Sequence, residues 1–185
     1  MADQTPRSSP LAGFALPSAD AGVTLAEVPF LTQLSLRADQ AGGLPLPTAA
    51  GTSTVDGEAT FVWLGPDEWL VIGPPGAQRR LTERLETVSG CSVVDVSAQR
   101  TTLELSGPGA RELLALGCSL DLHPRVFEVG RCAQTTLAHA PVILLRREPS
   151  VIDTDPVFWV LVRASFAAHL ASWVLDARGD LTGGY

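Results

Sequence analysis

Residues 61–73, Phe-Val-Trp-Leu-Gly-Pro-Asp-Glu-Trp-Leu-Val-Ile-Gly, constrain the fold more than any other stretch of this chain. Two short apolar runs, 61–64 and 69–72, flank Gly65-Pro66-Asp67-Glu68. Proline presets φ, glycine relaxes the backbone, and aspartate bonds its own main chain, so these four residues reverse the chain. The runs on either side then pair as a hairpin. Trp63 and Trp69 lie in it, two of the four tryptophans, and their rings call for a core to fill.

The same reasoning extends outward. Residues 23–28 and 31–36 alternate apolar and polar side chains, as half-buried strands do. Residues 39–57 are rich in Gly, Ala, Thr and Pro without periodic apolar signal, and read as a loop. A loop of that length is either functional and ordered by a partner or a disordered insertion. In residues 77–88, Leu81, Leu85 and Val88 recur at helical spacing, with Arg79, Arg80, Glu83 and Glu86 elsewhere on the wheel. Gly90 is a stop for that helix. Residues 92–96 and 101–106 read as strands; Leu103 and Leu105 face one way, Thr102 and Glu104 the other.

Ser106-Gly-Pro-Gly opens a second helix with Pro108 in its first turn, Leu113 and Leu114 on its buried face, and Gly117 at its close. Residues 133–138 and 141–147 form a hairpin around His139-Ala140. Residues 147–155 are polar loop, and 158–162 are a continuous apolar run suited to a central strand. There Phe158 and Trp159 point to opposite faces, so one leaves the core if only one face is covered. A last helix opens near Ala164-Ser165, with Phe166, Leu170, Trp173 and Val174 as its stripe and Arg178-Gly179 at its end. Hairpins interleaved with helices predict an α+β fold, a mainly antiparallel sheet with helices on one face. Residues 1–10 read as a mobile tail ahead of a single domain over 11–185.

Composition excludes several functions. The formal net charge is −7, and all 13 basic residues are arginine, so no basic run offers a footprint for phosphate backbones. Cys91, Cys118 and Cys132 are odd in number and far apart, which supports neither a disulfide framework nor a zinc knuckle. The N-terminal residues lack the apolar centre of a signal peptide, and no run approaches the roughly 20 apolar residues of a membrane span. The expectation is a cytoplasmic protein. His123, His139 and His169 are isolated, without helical ligand partners or a serine to activate. Gly107-Pro-Gly109 is the nearest approach to a dinucleotide turn, but Pro108 removes an N–H that a phosphate needs. We therefore expect no catalytic residue, metal site or cofactor on this chain.

Several further motifs stand in a fixed order: Asp95-Val-Ser-Ala-Gln-Arg-Thr-Thr-Leu-Glu-Leu-Ser-Gly-Pro-Gly-Ala-Arg111, Gly117-Cys-Ser-Leu-Asp-Leu-His-Pro124, Phe127-Glu-Val-Gly-Arg-Cys-Ala-Gln-Thr-Thr-Leu137 and Phe158-Trp-Val-Leu-Val-Arg-Ala-Ser-Phe166. With the Trp hairpin they resemble the gamma subunit of heterotetrameric sarcosine oxidase, over residues 61–177 and more weakly over 11–36. The resemblance implies a non-catalytic structural subunit, with alpha, beta and delta subunits as partners. It also implies a complex that oxidatively demethylates sarcosine to glycine and forms hydrogen peroxide. That complex is expected to carry FAD, FMN, NAD and zinc on other chains, and to use tetrahydrofolate.

The element order also resembles the folate-binding domain of aminomethyltransferases. A free-standing folate-binding or aminomethyltransferase-like protein is thus the alternative. Against it, residues 137–144 carry no carboxylate to serve as acid or base. Arg131-Cys-Ala-Gln134 resembles a related folate-binding motif only loosely, without its lysine, and Cys132 reads as a small buried apolar residue. Candidate subunit contacts are Asp67, Glu68, Trp69, Arg100, Arg125 and Arg131, since tryptophan and arginine most often anchor interfaces. Turn formation, capping and local ion pairs are the competing roles for these charges.

Overall fold

Alternation along the strands leaves apolar side chains on both faces of several of them, and one sheet cannot bury both. The computed structural model, which describes residues 7–39, 42–148 and 155–182, resolves this with two stacked antiparallel sheets. In chain order the elements are β1 (Ser18–Asp20), β2 (Val23–Val28), β3 (Thr32–Ala38), β4 (Ser53–Asp56), β5 (Ala59–Gly65) and β6 (Glu68–Gly73). Then follow α1 (Gln78–Glu86), β7 (Cys91–Asp95), β8 (Arg100–Ser106), α2 (Ala110–Gly117), β9 (Cys132–Leu137), β10 (Ala140–Arg147), β11 (Val157–Arg163) and α3 (Ala164–Thr182). One sheet runs β1-β2-β8-β11-β10-β9, the other β4-β5-β6-β3-β7.

Each sheet carries its helices on one face, as α+β folds do. Leu103, Leu105, Phe158 and Val160 of the six-stranded sheet pack against Leu113 and Leu114 of α2 and Leu170 and Val174 of α3. Leu34, Leu36, Phe61, Trp69 and Val71 of the five-stranded sheet pack against Leu81 and Leu85 of α1. The opposite faces meet in a third layer of Val62, Leu70, Ile72, Ile143, Leu145 and Leu161. Phe61 and Val62, adjacent in sequence, thus enter different cores. At one corner the sheets are stitched by a Thr52–Arg131 bridge and by Cys132 N donating to the Gly51 carbonyl at 2.9 Å.

The Trp hairpin forms as expected, with Trp63 opposite Trp69. The apolar run 158–162 lies within β11, between β8 and β10. Phe158 is fully buried, while Trp159 on the other face is half-buried and donates to Glu104 at 2.9 Å under the Arg147 guanidinium. Four local readings are corrected. The stretch 39–57 contains β4, which pairs with β5 and needs no apolar periodicity because it is an edge strand. The β9–β10 turn is Ala138-His139, both at positive φ, one residue earlier than expected. Pro108 stands before α2 rather than in its first turn.

The fourth correction concerns α3, which runs past Arg178 and Gly179 to Thr182. Its buried stripe uses Ala167 and Ala171, while Phe166 remains 38% exposed. Small residues let the helix lie close to the sheet. Arg178 is buried rather than terminal, and donates to the Ser18 carbonyl at 2.9 Å and the Ser18 hydroxyl at 3.0 Å. Of the tail predicted over 1–10, residues 1–6 lie outside the described residues, and Ser9 bonds the Glu27 carboxylate at 2.6 Å. Within the polar loop 147–155, residues 149–154 also lie outside them.

Candidate functional site

The chain passes between the sheets twice, from β2 to β3 through residues 29–31 and from β7 to β8 through residues 96–99. The first crossing is so short that Phe30 adopts φ +60, a region bulky side chains avoid, and the residue stays 40% exposed. The second is held by Gln33 of β3. The Gln33 N–H donates to the Ser97 hydroxyl at 2.9 Å, its carbonyl accepts from Val96 N at 2.9 Å, and its amide donates to the Arg100 carbonyl at 3.3 Å.

Between the crossings lies a cleft of about 520 Å³. Arg7, Pro10, Phe30, Asp95, Arg100 and the first residues of α1 and α3, Gln78 and Ala164, help to line it. Thr32 fixes α1 at its mouth, its hydroxyl donating to the Pro74 carbonyl at 2.8 Å and accepting from Ala77 N at 3.1 Å. Ala164 N, where α3 begins, donates to the Gln99 carbonyl at 3.1 Å. Glu27 ties the N-terminal segment to the wall, accepting from the hydroxyls of Ser9 and Thr101. Burial, then the like charge of Arg163, pushes the Arg100 guanidinium below its ordinary value, with Glu68 opposing.

The residues singled out in the sequence do not gather in one place. Arg100 lies in the cleft. Asp67 and Glu68 both pair with Arg37, at 3.2 and 2.9 Å, where the hairpin turns. Trp69 points the other way, buried against α1, and its indole donates to the Pro47 carbonyl at 2.9 Å. Arg131 reaches the Ala50 carbonyl at 3.4 Å at the stitched corner. Arg125 is exposed on the segment after α2. The cleft residues Phe30 and Glu27, and the buried Gln33 that holds the second crossing, escaped the sequence reading; their one signal is the three-residue gap between two strands.

Gly107, at φ +108, packs so closely on the β1–β2 turn that a Cβ would stand 2.3 Å from the Gly22 carbonyl oxygen. The Gly-Pro-Gly turn is thereby filled by the chain's own backbone and does not fit a pyrophosphate. Cys132 is sealed in the stitched corner, its thiol facing the carbonyls of Thr52 and Trp63 and pushed up to about 11, chiefly by burial. Among the described residues no group of three or more His, Cys, Asp or Glu could hold a metal ion, and no helix is long and apolar enough to cross a membrane.

Residues 32–180 match the family described as "Sarcosine oxidase, gamma subunit family". The chain is 40% identical over 171 residues to the sarcosine oxidase subunit gamma of Corynebacterium sp. (strain P-1), covering 85% of this chain and 81% of that one. It is 39% identical over 178 residues to the protein of the same description from Corynebacterium sp. (strain U-96), covering 86% and 81%. Its structure superposes with a TM-score of 0.82 on a chain of the heterotetrameric sarcosine oxidase from Corynebacterium sp. U-96 in complex with pyrrole 2-carboxylate. That likeness covers 97% of this chain and 98% of the other, at 35% identity.

Proposed function

The chain belongs to the sarcosine oxidase gamma subunit family, and from that premise we propose that it is the non-catalytic assembly subunit of a heterotetrameric sarcosine oxidase. Its partners are then the alpha, beta and delta subunits. The complex would oxidatively demethylate sarcosine to glycine, form hydrogen peroxide and pass the one-carbon unit to tetrahydrofolate. FAD, FMN, NAD and zinc would be held by the other chains. The observation that carries this reading is the likeness along the full length of both chains to one member of a solved heterotetramer. The closed Gly-Pro-Gly turn and the inert, buried Cys132 thiol support a scaffold rather than a reaction centre.

The mechanism is mass action. A subunit that binds only the assembled arrangement stabilises it in proportion to the logarithm of its concentration over its dissociation constant. The two-sheet core supplies the rigid body this requires, with the cleft and the exposed side chains of the segment 118–131 as surface.

The test is co-expression of four subunits with this chain tagged. The expected result is a flavin-coloured complex of four polypeptides with sarcosine-dependent peroxide production, lost when this chain is omitted. Sarcosine oxidation by the purified chain alone, or stoichiometric flavin binding by it, would falsify the proposal.

A further inference from the structure

The cleft between the sheet crossings holds a guanidinium with which no carboxylate of the described residues forms an ion pair. Arg100 lines it, half-buried, and among the described residues its guanidinium forms no hydrogen bond and no ion pair. Its backbone carbonyl accepts from the Gln33 amide, and its backbone pairs with Arg163 in the β8–β11 ladder. Arg7 and Arg100 share the lining with Glu27 and Asp95, whose carboxylates accept from the hydroxyls of Ser9, Thr101 and Ser97 rather than from Arg100, and Glu68 acts on Arg100 only at longer range. Arg163, opposite Arg100 across the β8–β11 pair, adds a further positive charge. The first turns of α1 and α3, which open at the same mouth, carry no acidic side chain. An acceptor brought into the cleft would complete the hydrogen bonding of this half-buried arginine, and the exclusion of water would strengthen the pair.

We propose that this cleft is the docking pocket for another subunit of the oxidase, which inserts a carboxylate-bearing segment against Arg100 and covers the Phe30 ring with an apolar side chain. The inference rests on the assembly reading and adds the surface and its chemistry. Phe30 is what favours a polypeptide over a small molecule. A compact anion at Arg100 would leave the ring at the lip in water, whereas a docked chain buries both. The left-handed backbone at Phe30 holds the ring outward, so it cannot fold back into the core without undoing the crossing. Arginine with an adjacent aromatic is the composition of interface anchors.

The test uses the co-expressed four-subunit complex. A photoreactive benzoylphenylalanine at position 30 should cross-link to another subunit, on a peptide containing Asp, Glu or a C-terminal carboxylate. Arg100→Glu should weaken retention of the other subunits by about 30-fold or more, as for the loss of one partner of a buried charge pair. Arg100→Lys should weaken it less, and Arg79→Glu, on the exposed face of α1, should leave it unchanged. If the unmodified chain fails to recover its partners, the assembly reading itself is wrong. If it recovers them, but the position-30 adducts fall only on residues 1–6 of the same chain, on solvent or on a low-mass compound, the pocket is not the interface. Should Arg100→Glu fail to fold, the cross-link site alone decides.

Discussion

Alanine at Gly107 would separate the two roles a Gly-Pro-Gly turn can play. If the glycine serves close backbone packing, substitution must cost stability. If it served a phosphate, the fold would be spared. Gly107 sits at φ +108, and its Cβ would meet Gly22 O at 2.3 Å, Gly22 C at 3.1 Å and Val23 Cα at 3.5 Å. All three are backbone, so relief requires β1–β2 to move away from α2. The dihedral alone costs about 1–3 kcal/mol, and forcing volume into a packed contact adds about 1–3 kcal/mol.

We expect a total of about 4 kcal/mol, which for a domain of this size lowers Tm by about 8–16 °C. Gly76→Ala is the internal reference. Gly76 has φ +81 but nothing within 4 Å of a Cβ, so it reports backbone strain without the clash. Urea unfolding of both variants, with m-values compared to confirm two-state behaviour, isolates the steric part. Equal losses within about 0.5 kcal/mol would refute the packing argument.

Other outcomes follow from the same geometry. Trp69→Phe leaves the Pro47 carbonyl without its buried donor and should cost about 1–3 kcal/mol by chemical denaturation. Arg37→Ala removes both exposed ion pairs at the hairpin turn, and thermal unfolding should register less than about 1 kcal/mol. Cys132 should alkylate far more slowly than the half-buried Cys91 at pH 8, read by mass spectrometry; equal rates would contradict its sealing. Because folding raises the Cys132 value from 9.0 to about 11, its contribution to stability is complete below pH 9. Above that the unfolded thiol loses its proton first, so this contribution fades as pH rises through about 11. Cys132→Ala should flatten that part of the stability profile.

The hairpins and helices were open to sequence reasoning because their signals are local. Gly65-Pro-Asp-Glu68 reverses the chain with its own atoms, and Leu81 and Leu85 lie on one side of a helix by spacing alone. β4 was invisible because an edge strand with half-buried residues needs no apolar periodicity, and its partner β5 supplies the pairing. The face of α3 was misjudged because burial there selects alanines that fit closely rather than the larger Phe166. Of the six suspected contact residues, only Arg100 falls in the cleft, since pairing, not chemical type, decides which side chains share an opening.

By itself, the sequence determined the α+β class, the principal turns, the central position of the 158–162 run and, through motifs in fixed order, the family. Tertiary structure alone decided that neighbouring strands β2 and β3 join different sheets, and that residues 29–30 and 97–98, remote in sequence, line one cleft. The physical reason is range. A turn or a helical stripe is fixed within a few residues, whereas sheet membership depends on which distant strand offers a matching ladder and which face finds a second layer to bury it.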